Sequence, residues 1–271
     1  MNGVVDVVTG DDWIAVAASN WWAANTALNA LKPKFKVAGK PITDASIATA
    51  LADALRKGTG TTVAQWGDVT AQFGEQTTRV FSAQAYIHAA PHAAPEPRSA
   101  TVRLKDGRAE VWLASQAPGD ARVAAAWGYG QEDVTLYPML AGGSFGRNYE
   151  NDIAVEAGLI AKALNRPVQL TRSREQDLHA SHFRAPAHGF VRAAVDAQGS
   201  LSALSIKIAS PPVLPDVMAR VSGQASRADA AEQAKGQADR AAVMGAYSPY
   251  AVPHFHLSHF PADVGIPVGR W

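Results

Sequence analysis

The chain has no cysteine among its 271 residues, which excludes disulfides, thiolate metal sites and protein-ligated iron–sulfur clusters. Net charge is nearly absent as well: 25 lysines and arginines stand against 24 aspartates and glutamates. No global field would gather nucleic acid or an anionic membrane, so a nucleic-acid role is disfavoured. Long apolar runs are missing too. The stretch Val4 to Ala18 is broken by Asp6, Asp11 and Asp12, and does not approach the roughly 20 residues that a membrane span needs. The first residues lack the basic-then-apolar order of a secretory leader, and the compartment is therefore not legible. What is present is apolar content, 47%, enough for a real core in one large or two medium domains.

Val4–Val8 and Ile14–Ala18 have the pattern of a hairpin around Thr9-Gly10-Asp11-Asp12, and a helical run follows from Trp21 to about Leu31. Thr43 or Asp44 can cap a second helix, in which Ile47, Leu51 and Leu55 recur on one stripe until Gly58. Thr78 to Ile87 alternates like a strand. Three prolines between His88 and Arg98 require an extended connection, and a domain boundary is placed there: 1–87 before it, 88–271 after it. Val102–Leu104, the turn Lys105-Asp106-Gly107-Arg108 and Ala109–Leu113 form a hairpin; Gly119–Trp127 predicts a short helix and Asp133–Leu140 a strand. A helix with Ile153, Ala157, Ile160, Ala161 and Leu164 on one face stops at Asn165-Arg166-Pro167, before a buried strand Val168–Arg172. Phe190–Val195 and Leu201–Ile208 make a further hairpin, and Val217–Met244 is either a helix or a long excursion. Helices and antiparallel hairpins in mixed order predict an α+β fold with mixed sheets and packed helices. The chain begins on a strand and stops on Gly269-Arg270-Trp271 without a cap, as a piece of a longer protein would.

Gly142-Gly143-Ser144-Phe145-Gly146-Arg147 is a glycine-dense bend between a strand and a helix. Such a bend frees backbone N–H groups, and the following helix adds the positive end of its dipole, so an anion or an oxo group can be held there. The spacing is not G-x-G-x-x-G, and a tight turn packing a helix on a sheet accounts for it equally well. Ser144 stands between glycines, but outside G-x-S-x-G and without a nominated histidine, which argues against a hydrolase. Glu150, Asp152 and Glu156 suit a helix dipole. His179 with His182, and His254 and His256 with His259, lack the frame of a metal site and are expected to face solvent. Gln116, in Ala114-Ser115-Gln116-Ala117-Pro118, lies just past a strand end with small neighbours.

Taken in order, these segments resemble the molybdenum-binding large subunit of the xanthine dehydrogenase/aldehyde oxidase family, most closely the isoquinoline 1-oxidoreductase beta-subunit type. The resemblance runs through Glu110–Pro118, Gly142–Arg147 with Glu150-Asn151-Asp152, Asn165–Val168, Ser173–Asp177, Pro249–Pro253 and Ile266–Trp271. It implies a first molybdopterin-binding domain at 88–271, incomplete at its C-terminal end, with the end of a preceding α+β domain at 1–87. The implied cofactor is molybdenum with molybdopterin, often as the cytosine dinucleotide, whose sulfur ligands come from the pterin. This suits a chain without cysteine. Cofactor contacts carried over are Gln116 and the bend Gly142, Gly143, Ser144, Phe145, Gly146 and Arg147; no metal ligand is expected from protein.

The implied reaction is oxidation of an aldehyde or N-heterocycle with water-derived oxygen. Electrons pass to iron–sulfur clusters on a partner small subunit, not on this chain. The family's catalytic glutamate, in a Gly-x-Gly-Glu type motif, would lie beyond Trp271, leaving no catalytic residue here. The 271 residues alone are thus expected to be inactive and to need the second half of the large subunit. The alternative is a non-catalytic scaffold or assembly piece that keeps the fold without metal.

Overall fold

The computed structural model describes residues 1–36, 39–75, 79–130, 133–221 and 227–270. The chain begins with β1 (Val4–Thr9), β2 (Ile14–Ala18), α1 (Trp21–Leu31), α2 (Asp44–Lys57), β3 (Thr61–Trp66), α3 (Val69–Gly74) and β4 (Arg79–Ile87). Next come β5 (Ser99–Lys105), β6 (Arg108–Leu113), α4 (Pro118–Tyr129), β7 (Asp133–Pro138), a 3-10 turn (Arg147–Tyr149), α5 (Asp152–Leu164), β8 (Val168–Thr171) and α6 (Arg174–His179). The remainder holds β9 (Phe183–Arg184), β10 (Ala187–Val195), β11 (Leu201–Ser210), α7 (Leu214–Val221), α8 (Arg227–Ala234), a second 3-10 turn (Ala241–Ala246), β12 (His254–Pro261) and β13 (Val268–Gly269).

Local chemistry explains most of these limits. Thr43 and Ser46 form a reciprocal capping box on α2, and Asn20 caps α1 by accepting from Ala23 N–H. Asn165 closes α5 in the left-handed region, while Asp106 and Gly107 both take positive φ in the tight β5–β6 turn. β3 and α3 were not legible in the pattern. Asp68 caps α3 with one oxygen accepting from Thr70 and Ala71, and the six-residue helix is too short for a periodic signal.

Two compact units are interleaved along the chain, so residues 1–87 and 88–271 each contribute to both. The first comprises Met1–Pro41, His92–Ser181 and Arg220–Gln224. Its sheet has the order β7-β6-β5-β8, with β6 and β7 parallel and the other pairs antiparallel. Val102, Val111 and Leu113 pack with Tyr129 of α4 and with Ile153 and Ala157 of α5 in one core. β8 is an edge strand and half-buried, where a buried strand was expected, because β5 covers only one of its sides.

The second unit comprises Ile42–Pro91, His182–Ala219 and Ala225–Trp271. Its sheet has the order β3-β12-β11-β10-β4, with β11 and β12 parallel. Ile47 and Leu51 of α2 pack on Ala209 and Phe260, while Phe255 and Leu257 point the other way and meet Val243. In place of one long helix, the Val217–Met244 stretch contains the end of α7, α8 and part of a 3-10 turn; its residues 222–226 lie outside the described residues.

Strand parity overturns one expectation. His254 and His256 share a half-buried face of β12, but His259 is odd-numbered, falls with Phe255 and Leu257, and is fully buried. Its Nδ1 accepts the Asp239 N–H at 2.8 Å, and its Nε2 lies 3.0 Å from both the carbonyl and the hydroxyl of Ser210. His182 is also buried, while His179 is exposed at the end of α6. Among the described residues no group of three histidine, aspartate or glutamate side chains could hold a metal ion. Among the described residues no helix is long and apolar enough to cross a membrane.

Candidate functional site

The parallel pair β6/β7 of the first unit determines where the site falls. Two parallel neighbours release their chains at the same sheet edge, the usual place for a ligand crevice in α/β architecture. Leu113 pairs with Pro138 at the end of the ladder, and Met139 N–H donates to Leu113 O at 2.9 Å. From there β6 continues into Ala114–Ala117, and β7 into the glycine bend. The two loops are joined: Gln116 N–H donates to Asn148 O at 2.8 Å, and the Ser115 hydroxyl donates to Asn151 Oδ1 at 3.1 Å. Gln116 is exposed at this junction, its side chain free of protein hydrogen bonds among the described residues.

The bend is shaped by positive φ at Gly143 (92°), Phe145 (52°) and Gly146 (93°); Ser144 is not among the left-handed residues. Serine in place of a further glycine therefore costs no backbone strain. Phe145 takes the conformation that disfavours an L side chain, a feature concentrated at functional loops. Gly142 N–H donates to Glu96 Oε2 at 2.6 Å, and Arg147 N–H to Ser144 O at 2.9 Å. Among the described residues, the N–H groups of Gly143, Ser144, Phe145 and Gly146 have no protein acceptor. Four successive unclaimed donors in an irregular turn are the type of arrangement that can hold an anion or an oxo group. A Cβ at Gly143 would lie 2.8 Å from Pro95 Cδ, so close approach as well as φ demands glycine there. Leu140, Met139 and Phe145 are exposed beside the bend.

Beneath the bend lies an ionic base that sequence reasoning did not find. Arg98 donates to both oxygens of Asp152 at 2.8 and 2.9 Å and to Glu150 O at 2.7 Å. Arg147 reaches the same carboxylate twice at 3.1 Å, and Arg172 reaches Glu156 at 2.6 Å. Arg220 pairs with Glu150 through bonds of 2.6 and 3.0 Å. The acidic residues expected to serve the helix dipole thus act mainly as partners of buried arginines. Burial pulls the Arg98 guanidinium down to about 10, Arg147 and Arg172 adding to this against Asp152; it still carries its charge at neutral pH. Burial acts on Arg147 in the same sense, but Asp152, Glu150 and Asp177 outweigh it and raise the group. Burial also lifts the Glu156 carboxyl, against Arg172.

The Arg147 guanidinium is therefore turned inward, on Asp152 and on Ala180 O at 3.4 Å. Gln116 meets the turn that follows the bend through Asn148, and Arg147 is the bend's own buried anchor. A cavity of about 20 Å³ beside Glu96, Arg98, Leu113, Gly143 and Asn148 has room for a water. Glu96 and Asn148 were not singled out from sequence. Nothing in the spacing marks Glu96, since its contact with Gly142 spans 46 residues.

Backbone donors gathered at a strand end can hold a ligand by its oxygen atoms without adding charge. The family model for the molybdopterin cofactor-binding domain matches residues 55–211, and the chain belongs to that family. Among curated proteins it is 28% identical over 213 residues to a nicotinate dehydrogenase chain of Pseudomonas putida, covering 77% of this chain and 18% of that protein. It is 33% identical over 130 residues to the beta-subunit of isoquinoline 1-oxidoreductase of Brevundimonas diminuta, covering 47% of this chain and 17% of that protein. The chain thus spans less than a fifth of these relatives. Among solved structures, aldehyde oxidoreductase from Desulfovibrio gigas matches 100% of this chain and 33% of its own, with a TM-score of 0.69 at 19% identity. Quinoline 2-oxidoreductase from Pseudomonas putida 86 gives 0.69 at 15% identity over 100% of this chain and 38% of its own. The α+β fold with mixed sheets and membership of the molybdopterin cofactor-binding domain family are thereby established for the chain.

Proposed function

We propose that the Gly142–Gly146 bend and Gln116 hold a molybdenum–molybdopterin cofactor, in its cytosine dinucleotide form, within an oxidoreductase that converts aldehydes or N-heterocycles. When bound, that cofactor supplies two-electron redox chemistry at its metal. The observation that carries the reading is the run of four unclaimed N–H donors at the ends of parallel β6 and β7, beside an unengaged glutamine amide. These groups suit oxo and carbonyl oxygens, because they donate hydrogen bonds without adding formal charge. Arg147 supports the bend from below through Asp152. Phe145, Met139 and Leu140 would narrow access of water to the donors. In this reading the remainder of a large subunit would supply the catalytic glutamate, and a partner small subunit would carry the iron–sulfur clusters that accept the electrons.

The test is metal content. The chain is produced in a host that makes the cofactor, together with the polypeptides encoded beside it, and molybdenum and pterin are measured per purified complex. Stoichiometric molybdenum is expected, with loss in Gly143→Val, whose side chain meets Pro95 and requires φ near 92°. A correctly folded complex without molybdenum would sink this reading and leave a non-catalytic scaffold.

A further inference from the structure

The segment from His92 to Arg98 has the composition of a linker, yet it is anchored at several of its residues. His92, Ala94 and Arg98 are buried, Pro95 O accepts from Arg174 Nη2 at 2.6 Å, and Ala93 is held at φ 49°. This strap meets the bend through one reciprocal pair. Glu96 N–H donates to Gly142 O at 3.0 Å, and Gly142 N–H donates to Glu96 Oε2 at 2.6 Å. The fit admits no side chain at 142, since a Cβ there would lie 2.6 Å from Glu96 Cβ and 2.7 Å from its Oε2.

We propose that Glu96 is a positioning residue for the cofactor cradle, a role that rests on reading the bend as that cradle. Its carboxylate captures the first N–H of the bend and its backbone fixes the adjoining carbonyl. The peptide plane entering Gly143 is thereby locked, and the next four N–H groups stay available to a ligand oxygen. A charged acceptor makes a stronger and shorter bond than a neutral one, which suits a clamp on an exposed loop. The bend is thus held twice: by Glu96 at its start and by Arg147 on Asp152 at its end.

The first arm of the test uses the 271-residue chain without cofactor and follows amide exchange at Gly142 and through 143–147. A hydrogen bond to a charged group corresponds to a change on the order of ten- to a hundred-fold, so Glu96→Ala is expected to speed Gly142 exchange by about that factor. The rest of the first unit should be unaffected, and Glu96→Gln, which keeps an acceptor oxygen, should recover most of the protection. Gly142→Ala, which displaces Glu96, should loosen 143–147 similarly, and combining it with Glu96→Ala should add little. In the second arm, the assembled complex with Glu96→Ala should retain several-fold less molybdenum than wild type, and Glu96→Gln nearly as much. Gly142 exchange within twofold of wild type in Glu96→Ala, or equal damage by Gln and Ala, overturns the proposal; should Glu96→Ala not fold, Glu96→Gln and Gly142→Ala still decide. If exchange changes as described but the wild-type complex holds no molybdenum, Glu96 still sets the bend and only the cofactor reading falls.

Discussion

Asp152 receives guanidinium groups from Arg98 and Arg147 through four bonds of 2.8 to 3.1 Å, with Arg172 at 3.7 Å. Each arginine is almost wholly buried, so the pairs cannot be weighed as surface ion pairs. Removing one member of a buried cluster leaves the others uncompensated, at a cost of roughly 3–5 kcal/mol. Asp152→Asn is therefore expected to lower unfolding free energy by about that amount in denaturant titration. Asp53→Asn, which removes an exposed carboxylate from α2, should leave the midpoint unmoved. A midpoint for Asp152→Asn within error of wild type would mean that the arginines find other partners. None of this was legible residue by residue. Asp152 and Glu156 look like ordinary first-turn acids, and only the fold brings Arg98, Arg147 and Arg172 to them.

At the scale of elements, α4 and α5 meet through Tyr129 and Gly158. The tyrosine ring lies fully buried across the glycine, and its hydroxyl bonds the Ala154 carbonyl. Burial raises the phenol above its ordinary range, so it stays protonated. A Cβ at Gly158 would sit 1.8 Å from Tyr129 Cε1. Helix propensity alone favours alanine over glycine by about 1 kcal/mol. Overpacking a closed contact costs about 1–3 kcal/mol, and a ring with no room to turn puts this site at the upper end. Gly158→Ala should thus destabilise the chain despite its better propensity, and a raised unfolding midpoint would refute that balance. The helix itself was readable, because Ile153, Ala157 and Ile160 recur on one face and all three are buried. The partner face was not, since periodicity says which side is apolar and never what covers it.

At the scale of the whole molecule, pH acts through buried histidine. Burial holds His259 below its ordinary 6.5, although Ser210 and Asp239 pull the other way. The folded state keeps the ring neutral because Nδ1 must accept the Asp239 N–H. A lowered folded pKa gives a definite sign: stability is full above 6.5 and is lost as pH falls below it toward the folded value. Denaturant midpoints should therefore drop between pH 7.5 and 5.5, and His259→Asn, which takes up no proton, should flatten that slope. An unchanged slope in the variant would assign the loss to other groups.

The sequence by itself determined the local elements. Caps such as Thr43 and Asn165, the Asp106-Gly107 turn and the stripes of α2 and α5 depend on neighbours within about four residues, and so does the bend, whose glycines permit its turns. Tertiary structure decided everything with long sequence separation. It placed Gln116 against Asn148, Glu96 under Gly142 and three arginines on Asp152, and it put His259 on the buried face of β12. The physical reason is the same throughout: a hydrogen bond or ion pair between distant residues leaves no periodicity in the chain, and exists only once the strands and helices have packed.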